Sequence, residues 1–166
     1  EMKTETYNSI LIDKKKQLID YKKAFDRNNS PKQLDKLEWM HFQNPVKSPL
    51  ISITYSTDEE VASIYAVMPV NFKIDNSIDK ACQSLDTLTD INHRGKGLFV
   101  ESANNVYKSA SESDYKLVYG FPNGSSVHGF IKKLNWKLLD PVPFLFKPLK
   151  SGYFLKKILG NSIGSL

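Results

Sequence analysis

Apolar residues in the first 45 positions of the chain recur at helical spacing, which predicts two helices. The apolar stripe of the first helix consists of Leu18, Ile19, Tyr21, Ala24 and Phe25. This helix is expected to end at the breaker Asn28-Asn29-Ser30-Pro31, where Ser30 is the predicted N-cap and Pro31 the first turn of the next helix. The stripe of the second helix, which ends at Asn44-Pro45, consists of Leu34, Leu37, Trp39, Met40 and Phe42.

The pattern changes to that of β-strands between residues 49 and 90. Leu50 to Tyr55 alternates, and a polar turn leads to a second strand from Val61 to Val70, which together predict a hairpin. Pro69 predicts a break or bulge, because proline has no N–H for the ladder. After an extended stretch to Ile74 and a turn, the segment from Ala81 to Thr89 is predicted to be a further strand.

Helical and extended patterns then alternate. A helix is predicted from Leu98 to about Ser111, followed by a short buried strand from Lys116 to Phe121. A second helix, opened by the residues from Pro122 to Ser126, is expected to run through Leu134 and to be closed by Asn135-Trp136. A final strand is predicted from Lys137, and residues 151–166 are predicted to form an amphipathic helix and a tail.

Composition narrows the class of protein. The 166 residues are 40% hydrophobic and 25% charged, which is typical of one globular domain with its own core. Cys82 is the sole cysteine, so an internal disulfide and a cysteine-rich zinc site are excluded, and a reducing, cytoplasmic location is expected.

No apolar run is long enough to span a bilayer, so membrane insertion is not expected. The net charge of +5 is scattered apart from Lys14 to Lys16, which favours a solvated helix face over a nucleic-acid-binding stripe.

The richest chemistry lies where the strand ending at Thr89 gives way to a helix. Arg94, Gly95, Lys96 and Gly97 combine backbone freedom with positive charge, and the helix start behind them supplies unpaired N–H donors, so the segment predicts a cradle for phosphate or diphosphate. The dinucleotide pattern G-x-G-x-x-G fails because its third glycine would be Val100. The P-loop pattern fails because Leu98 follows Gly97. The alternative is an ordinary strand-to-helix turn with two solvated cations.

The run Arg94-Gly95-Lys96-Gly97-Leu98-Phe99 resembles the R/Q-x-x-G-x-G/A pyrophosphate loop of the GNAT-type N-acetyltransferase superfamily, which binds acetyl-coenzyme A. Phe99 departs from the pattern, because glycine or alanine is usual at that place. The strand at Lys116–Phe121, followed by Asn123 and a helix, resembles a second unit of the same superfamily.

This resemblance implies an α/β (α+β) fold with a mixed central sheet of about six or seven strands, two of them parallel and splayed, flanked by about four helices. We expect one such domain over residues 1–150, followed by the segment 151–166. Its parts are a helical N-terminal part at 1–45, antiparallel strands at 49–90 and a cofactor-binding core at 91–136. The C-terminal helix could pack on the domain, on a second copy in a homodimer, or on a membrane surface, and packing on protein is favoured.

The resemblance also implies how acetyl-coenzyme A would be held. Free backbone groups of Thr87, Leu88 and Thr89 would pair with the pantetheine amides as an added strand does. The loop residues Arg94, Gly95, Lys96, Gly97, Leu98 and Phe99 would hold the diphosphate. Asn123 would bind the pantetheine arm, although capping its own helix is the more frequent role of such an asparagine. No metal is expected.

Catalytic residues are harder to predict. Relatives often use a tyrosine on the second helix to protonate the leaving thiolate, and counting back from Asn135-Trp136 places Ile131 there, so the usual acid is absent. Asp86 is the preferred candidate for the general base, Tyr119 is a candidate donor, and His128 could titrate near neutrality. Cys82 is not a candidate nucleophile, because no nearby residue activates it.

Two functions from different classes follow. The first is a bacterial-type, acetyl-coenzyme A-dependent N-acetyltransferase that acetylates a small-molecule amine, such as an amino sugar, by direct transfer. The second is a non-catalytic module that binds acyl-coenzyme A, which the missing tyrosine and Phe99 favour. A nucleic-acid-binding domain would need a basic stripe with exposed aromatic residues, and no nucleic-acid partner is expected.

Overall fold

The structure is a computed structural model that describes residues 5–46, 49–143, 145 and 147. Residues up to Trp136 form one compact unit, and the chain from Lys137 onward forms a second. The described elements of the first unit are β1 Tyr7–Leu11, α1 Leu18–Arg27, α2 Leu34–Phe42, β2 Leu50–Ser56, β3 Val61–Ile74, β4 Ser77–Thr89, α3 Leu98–Glu112, β5 Leu117–Gly120 and α4 Val127–Leu134. Single turns of 3₁₀-helix at Lys15–Gln17 and Ile91–His93 precede α1 and lead from β4 toward α3.

The five strands described form one sheet in the order β1-β2-β3-β4-β5. The first three pairings are antiparallel, and β4 pairs with β5 in parallel. The parallel pair is connected through α3, as a crossover between parallel strands requires. The prediction of an α/β fold with a mixed sheet and about four helices is confirmed, while the sheet described has five strands rather than six or seven.

Helices cover both faces of the sheet, and buried side chains of the central strands β2 and β3 lie on each face. On one face, Ile51, Ile53 and Ile64 pack against Tyr21 and Phe25 of α1. The opposite face has its own buried cluster, whose members include Leu50, Tyr65, Val67, Cys82, Ala103, Val106 and Phe130. The alternation of side chains along each strand therefore divides the core into an α1 face and an α3 face.

Several local predictions need correction. The first 45 residues are not wholly helical, since they include β1, which pairs with β2 along the full length of β1. Ser30 and Pro31 do not open α2, because that helix begins at Leu34 with Gln33 as its N-cap. Pro69 interrupts nothing: it lies opposite Cys82 within a continuous β3, and its carbonyl accepts a hydrogen bond from Asn44 Nδ2 (3.1 Å).

Two predictions concern the end of the chain. Residues 137–143 contain neither helix nor strand, so the final strand predicted from Lys137 is not found there. The amphipathic helix and tail at 151–166 lie outside the described residues, and the predicted domain bounds stay a prediction. Among the described residues, no helix combines the length and the apolar character needed to cross a bilayer.

Candidate functional site

A cavity of about 950 Å³ opens between β4, the loop after it and the segment from Gly120 to Trp136. All residues of β4 from Ser84 to Thr89 line the cavity, because the open edge of the strand faces it. The start of α3, one side of α4, and Phe25, Ser30 and Lys32 from the helical N-terminal part complete the wall. The cavity therefore joins the predicted phosphate cradle to the region where α1 and α2 meet the sheet.

The cavity exists because β4 and β5 separate. They pair only from Ala81 opposite Leu117 to Ser84 opposite Gly120, and β5 ends there. Pro122, two residues on, cannot donate to a ladder. On the β4 side the register with β3 shifts, since Ala66 lies opposite Asp86 but Val67 lies opposite Ser84. Leu85 is thus the extra residue of a β-bulge, which bends and twists the strand away from its neighbour.

The open edge of β4 offers backbone groups for a ligand. The Asp90 N–H donates to the carbonyl of Ala62 (2.9 Å). In an antiparallel ladder every second residue directs its N–H and C=O toward the partner strand, so this bond fixes which residues of β4 face β3. Leu88, two residues earlier, therefore directs its N–H and C=O toward β3, while Thr87 and Thr89 direct theirs toward the gap. Arg94 Nε donates to the Thr89 carbonyl across 3.4 Å, as this direction requires. Of the three residues expected to pair with pantetheine, Thr87 and Thr89 face the place where it would lie.

The glycine loop has the geometry of an anion cradle. Gly95 and Gly97 both lie in the left-handed region, at φ +80° and +78°, where other residues are strained. A Cβ built on either glycine would meet nothing within 4 Å, so the space in front of the loop is open. Gly97 is the N-cap of α3 and supplies no side-chain cap. The Val100 N–H donates to the Gly97 carbonyl (3.0 Å), which leaves the N–H groups of Leu98 and Phe99 for a ligand in that space. The loop and the helix start can therefore bind a diphosphate.

Lys96 is the one predicted cofactor-binding residue that does not line the cavity. Its Nζ donates to the Tyr7 hydroxyl (2.7 Å) and forms an ion pair with Glu5, and it lies over the ring of Tyr7. The ion pair raises the pKa of Lys96 and lowers that of Glu5. Lys96 thus ties the outer side of the loop to the segment that leads into β1.

Asn123 lines the cavity and caps its own turn. Its Oδ1 accepts hydrogen bonds from the N–H groups of Ser125 (3.0 Å) and Ser126 (3.0 Å) and from the Ser126 hydroxyl (3.1 Å). The capping role is therefore present. The side-chain Nδ2 has no partner among the described residues, so it can still donate to a ligand carbonyl.

Phe99, the departure from the family pattern, is accommodated by packing. Its ring lies 6.1 Å from that of Tyr65 and 5.6 Å from that of Phe130, in tilted and edge-on arrangements. A Cβ built on Gly129 would meet the ring at 3.4 Å. The ring thus packs beside Gly129 of α4, and Phe99 forms part of the cavity wall.

Asp86 lines the cavity, and its carboxylate lies on the α1 face of the sheet, where two side chains bind it. It accepts hydrogen bonds from the Tyr21 hydroxyl (2.7 Å) and from Lys32 Nζ (2.6 Å). Lys32 also lies 4.6 Å from the centre of the Phe25 ring, which fixes the lysine at the cavity wall. The sequence predicted Asp86, while nothing in the sequence pattern indicated that Lys32 would pair with it.

The other candidate catalytic residues lie elsewhere. Tyr119 is outside the cavity wall, packs edge-on against Phe121, and donates to Gln83 Oε1 (3.3 Å). His128 is exposed on α4 and is also absent from the wall. On the same helix, Phe130 lines the cavity and Ile131 does not. Neither Phe130 nor Ile131 has a hydroxyl, so neither can act as the acid that protonates the leaving thiolate.

His41, Trp39 and Cys82 lie outside the cavity wall. His41 is fully buried, and burial lowers its pKa to about 4, so the imidazole is neutral at pH 7. Trp39 is exposed and lies outside the wall. Burial raises the pKa of the Cys82 thiol to about 12, which fits its exclusion as a nucleophile.

Sequence reasoning missed several wall residues: Phe25, Ser30, Lys32, Ser84, Lys133 and Trp136. Trp136 had been assigned only to the end of α4. Its indole N–H donates to the Tyr107 hydroxyl (2.9 Å), which draws the residue back onto the α3 face. The bulge at Leu85, which decides the direction of Ser84, has no signature in the sequence.

Comparison of the fold with solved structures finds acetyltransferases. An aminoglycoside antibiotic 6'-N-acetyltransferase from Acinetobacter baumannii superposes with a TM-score of 0.69 at 12% identity, over 87% of this chain and 100% of that one. A glucosamine-6-phosphate N-acetyltransferase from Arabidopsis thaliana gives a TM-score of 0.62 at 14% identity, over 87% of this chain and 99% of that one. At such identities the likeness shows the fold alone.

Family membership comes from the sequence. In the comparison with curated proteins no relative matches this chain. A family model described as the acetyltransferase (GNAT) domain matches residues 12–139, which include all of α1 to α4 and the cavity wall. The chain belongs to the GNAT acetyltransferase family.

Proposed function

We propose that the protein transfers the acetyl group of acetyl-coenzyme A directly to a primary amine of a small molecule. The observation that carries the proposal is the gap between β4 and β5, which has the glycine loop at its wide end and Asp86 in its wall. GNAT proteins use acetyl-coenzyme A as a general rule, and the residues of the cavity fit that molecule.

The diphosphate, the pantetheine arm and the thioester of the coenzyme each have a matching part of the cavity. The N–H groups of the glycine loop and of the first turn of α3 would hold the diphosphate, with Arg94 as a nearby counter-charge. The backbone groups of Thr87 and the N–H of Thr89, which face the gap, would pair with the amides of the pantetheine arm, while the Thr89 carbonyl accepts from Arg94 Nε. The Asn123 side-chain N–H would bind the arm from the opposite side of the gap. The thioester then lies at the narrow end, where β4 and β5 meet.

In the transfer, the amine nitrogen bonds to the carbonyl carbon, the carbon–sulfur bond breaks, and its electron pair goes to sulfur. The nitrogen loses a proton, which Asp86 can accept directly or through a water molecule. Lys32 neutralises Asp86 in the structure and would have to move toward the acceptor or the solvent as the amine enters. A backbone N–H on the open edge of β4 can bind the oxyanion that develops on the carbonyl oxygen.

The substitution Asp86→Asn tests the base. We expect kcat to fall by roughly two to four orders of magnitude, the range for losing a general base, while the Kd of acetyl-coenzyme A changes little. Steady-state kinetics and calorimetry supply the two quantities, and Asp58→Asn in the exposed turn between β2 and β3 is the matched control. Equal losses in turnover and coenzyme affinity would remove Asp86 from this role.

A panel of amines tests the function as a whole. Calorimetry would first measure acetyl-coenzyme A binding, and thiol release would then be followed with amino sugars, aminoglycosides, amino acids and polyamines. Amino sugars come first because the two structural neighbours are named for an aminoglycoside and for glucosamine-6-phosphate. Amine-dependent thiol release with formation of the acetylated amine is the expected result, and coenzyme binding without release on any amine contradicts the enzymatic proposal.

The second candidate is a non-catalytic module that binds acyl-coenzyme A. Phe130 favours it, because a side chain without a hydroxyl lines the cavity on α4. The same panel separates the two functions. The cytoplasmic location, the bacterial-type origin and the homodimer remain predictions from the sequence, and cell fractionation and sedimentation would test the first and the last.

A further inference from the structure

A chain of four hydrogen-bonding side chains runs from the cavity into the α3 face. Ser84 Oγ donates to the Tyr65 hydroxyl (3.1 Å). The Tyr65 and Tyr107 hydroxyls share a hydrogen bond of 2.7 Å, and Trp136 Nε1 donates to the Tyr107 hydroxyl (2.9 Å). Tyr65 is fully buried, while Ser84 and Trp136 both line the cavity. These four side chains therefore form a hydrogen-bond network that is buried at Tyr65 and reaches, at both ends, the space that the coenzyme would fill.

Ser84 lies at the narrow end of the gap. It is the last β4 residue paired with β5, opposite Gly120. A side chain at Gly120 would be crowded there: a Cβ on it would lie 3.3 Å from the Ser84 Cβ and 3.4 Å from Trp136 Cη2. From the end of β4 at Thr89, five residues at about 3.3 Å each bring an extended ligand back to Ser84, roughly 16 Å from the wide end.

The bulge at Leu85 sets Ser84 and Asp86 on opposite faces of the sheet. In a regular strand, residues two apart point to the same face. Here the hydroxyl of Ser84 bonds Tyr65 on the α3 face, whereas the carboxylate of Asp86 bonds Tyr21 on the α1 face. A thioester at the end of the gap would have the proton acceptor for the amine on one side and a hydroxyl on the other.

The hydrogen bonds of the network can reverse their direction, so that the Ser84 hydroxyl points its hydrogen toward the cavity. An indole N–H is a donor only, so the Tyr107 oxygen accepts from Trp136 and the Tyr107 proton is available for Tyr65. Tyr65 can then donate to Ser84, whose own proton turns toward the gap. Burial raises the pKa of Tyr65 well above its ordinary value, which keeps its hydroxyl protonated and able to donate.

We propose that the Ser84 hydroxyl donates a hydrogen bond to the coenzyme sulfur as that sulfur takes up the electron pair of the breaking carbon–sulfur bond, and that Tyr65 positions the hydroxyl. The inference rests on the proposed use of acetyl-coenzyme A. Ser84 supplies on the α3 face a hydroxyl that neither Phe130 nor Ile131 can provide. The serine keeps its proton, and the thiolate is protonated afterwards from solvent.

The pKa of the thiol of bound coenzyme A measures this contact without any acceptor. The ultraviolet absorbance of the thiolate, followed against pH, should show a pKa about one to two units higher in Ser84→Ala than in the wild type, because a hydrogen bond to a charged sulfur is lost. The charged side chains of the wall, Lys32, Asp86, Arg94 and Lys133, are the same in both proteins. Ser109→Ala, a half-buried serine on α3 outside this cavity, is the matched control with no expected change.

Tyr65→Phe should give a smaller rise, since Ser84 keeps its hydroxyl but loses the partner that orients it. An unchanged thiol pKa in Ser84→Ala would overturn the proposal. If the Ser84→Ala variant does not fold, a measurement on the wild-type protein tests the proposal instead. Its affinity for coenzyme A relative to an analogue with methyl in place of the thiol should rise about tenfold or more as pH passes through about 8.5, and a flat ratio would overturn the proposal. Failure to bind coenzyme A at all would instead contradict the proposed function.

Discussion

Replacing Gly97 with leucine is expected to weaken acetyl-coenzyme A binding by at least about a hundredfold, since one or two charge-assisted hydrogen bonds to the diphosphate would be lost. Gly97 has a φ of +78°, and a side chain there would project into the open space before the first turn of α3. A left-handed conformation also costs an ordinary residue roughly 1–2 kcal/mol, so the loop itself would shift. Titration calorimetry against the wild type measures the change.

Two further variants separate strain from obstruction. Asparagine tolerates the left-handed region, so Gly97→Asn should fold as the wild type does but still bind the coenzyme weakly. Gly124→Leu places the same bulk at a glycine with ordinary φ and open surroundings, outside the cavity wall, and should bind normally. Wild-type affinity in both Gly97 variants would show that the loop does not hold the diphosphate.

The substitution Asp90→Ala is expected to destabilise the protein by about 1.5–3 kcal/mol, because the hydrogen bonds that three donors make to a buried carboxylate are lost. The carboxylate is buried and accepts hydrogen bonds from Arg27 Nε (3.0 Å), Asn28 Nδ2 (2.9 Å) and the Asn92 N–H (3.0 Å). The Asp90 carboxylate thus connects the end of α1 to the start of the loop that leads from Asp90 to Gly95 and Gly97. Urea denaturation gives the free energy of unfolding, with the exposed Asp58→Ala as the control.

The pH dependence of this effect has a definite sign. Burial raises the pKa of Asp90, but the hydrogen bonds from Asn28, Asn92 and Arg27 outweigh it, and the pKa lies below its ordinary value of 3.8. The stabilisation by Asp90 is therefore complete above that ordinary value and is lost as pH falls through the lower pKa of the folded state. We expect the stability difference between wild type and Asp90→Ala to be constant near neutrality and to shrink below about pH 4. A difference that grows on acidification would contradict the assignment.

The cofactor end of the site could be predicted from the sequence because its signals are local. Gly95, Gly97 and the apolar stripe of α3 are contiguous, and their conformations follow from residue type and helix periodicity. The structure has both glycines at positive φ and α3 beginning at Leu98, as the sequence indicates. Lys96 differs because its partner, Glu5, lies far away along the chain, and only the pairing of β1 with β2 brings the two together.

The acceptor end could not be predicted because it depends on register. Whether Ser84 and Asp86 share a face is decided by the single extra residue Leu85, and no local signal marks that bulge. The sequence places Pro31 in the first turn of the second helix, whereas α2 begins at Leu34, so Lys32 lies before the helix, where its Nζ pairs with Asp86. Along α4, Phe130 lines the cavity and Ile131 does not, and which of the two corresponds to the family's tyrosine stays a prediction.

The account depends most on the open edge of β4, and amide hydrogen exchange resolved by residue tests it directly. On saturation with acetyl-coenzyme A, we predict that exchange at Thr87 and Thr89 slows strongly, whereas Leu88, whose N–H already faces β3, changes little. Unchanged exchange at Thr87 and Thr89 in the saturated protein would contradict the claim that the gap between β4 and β5 holds the coenzyme.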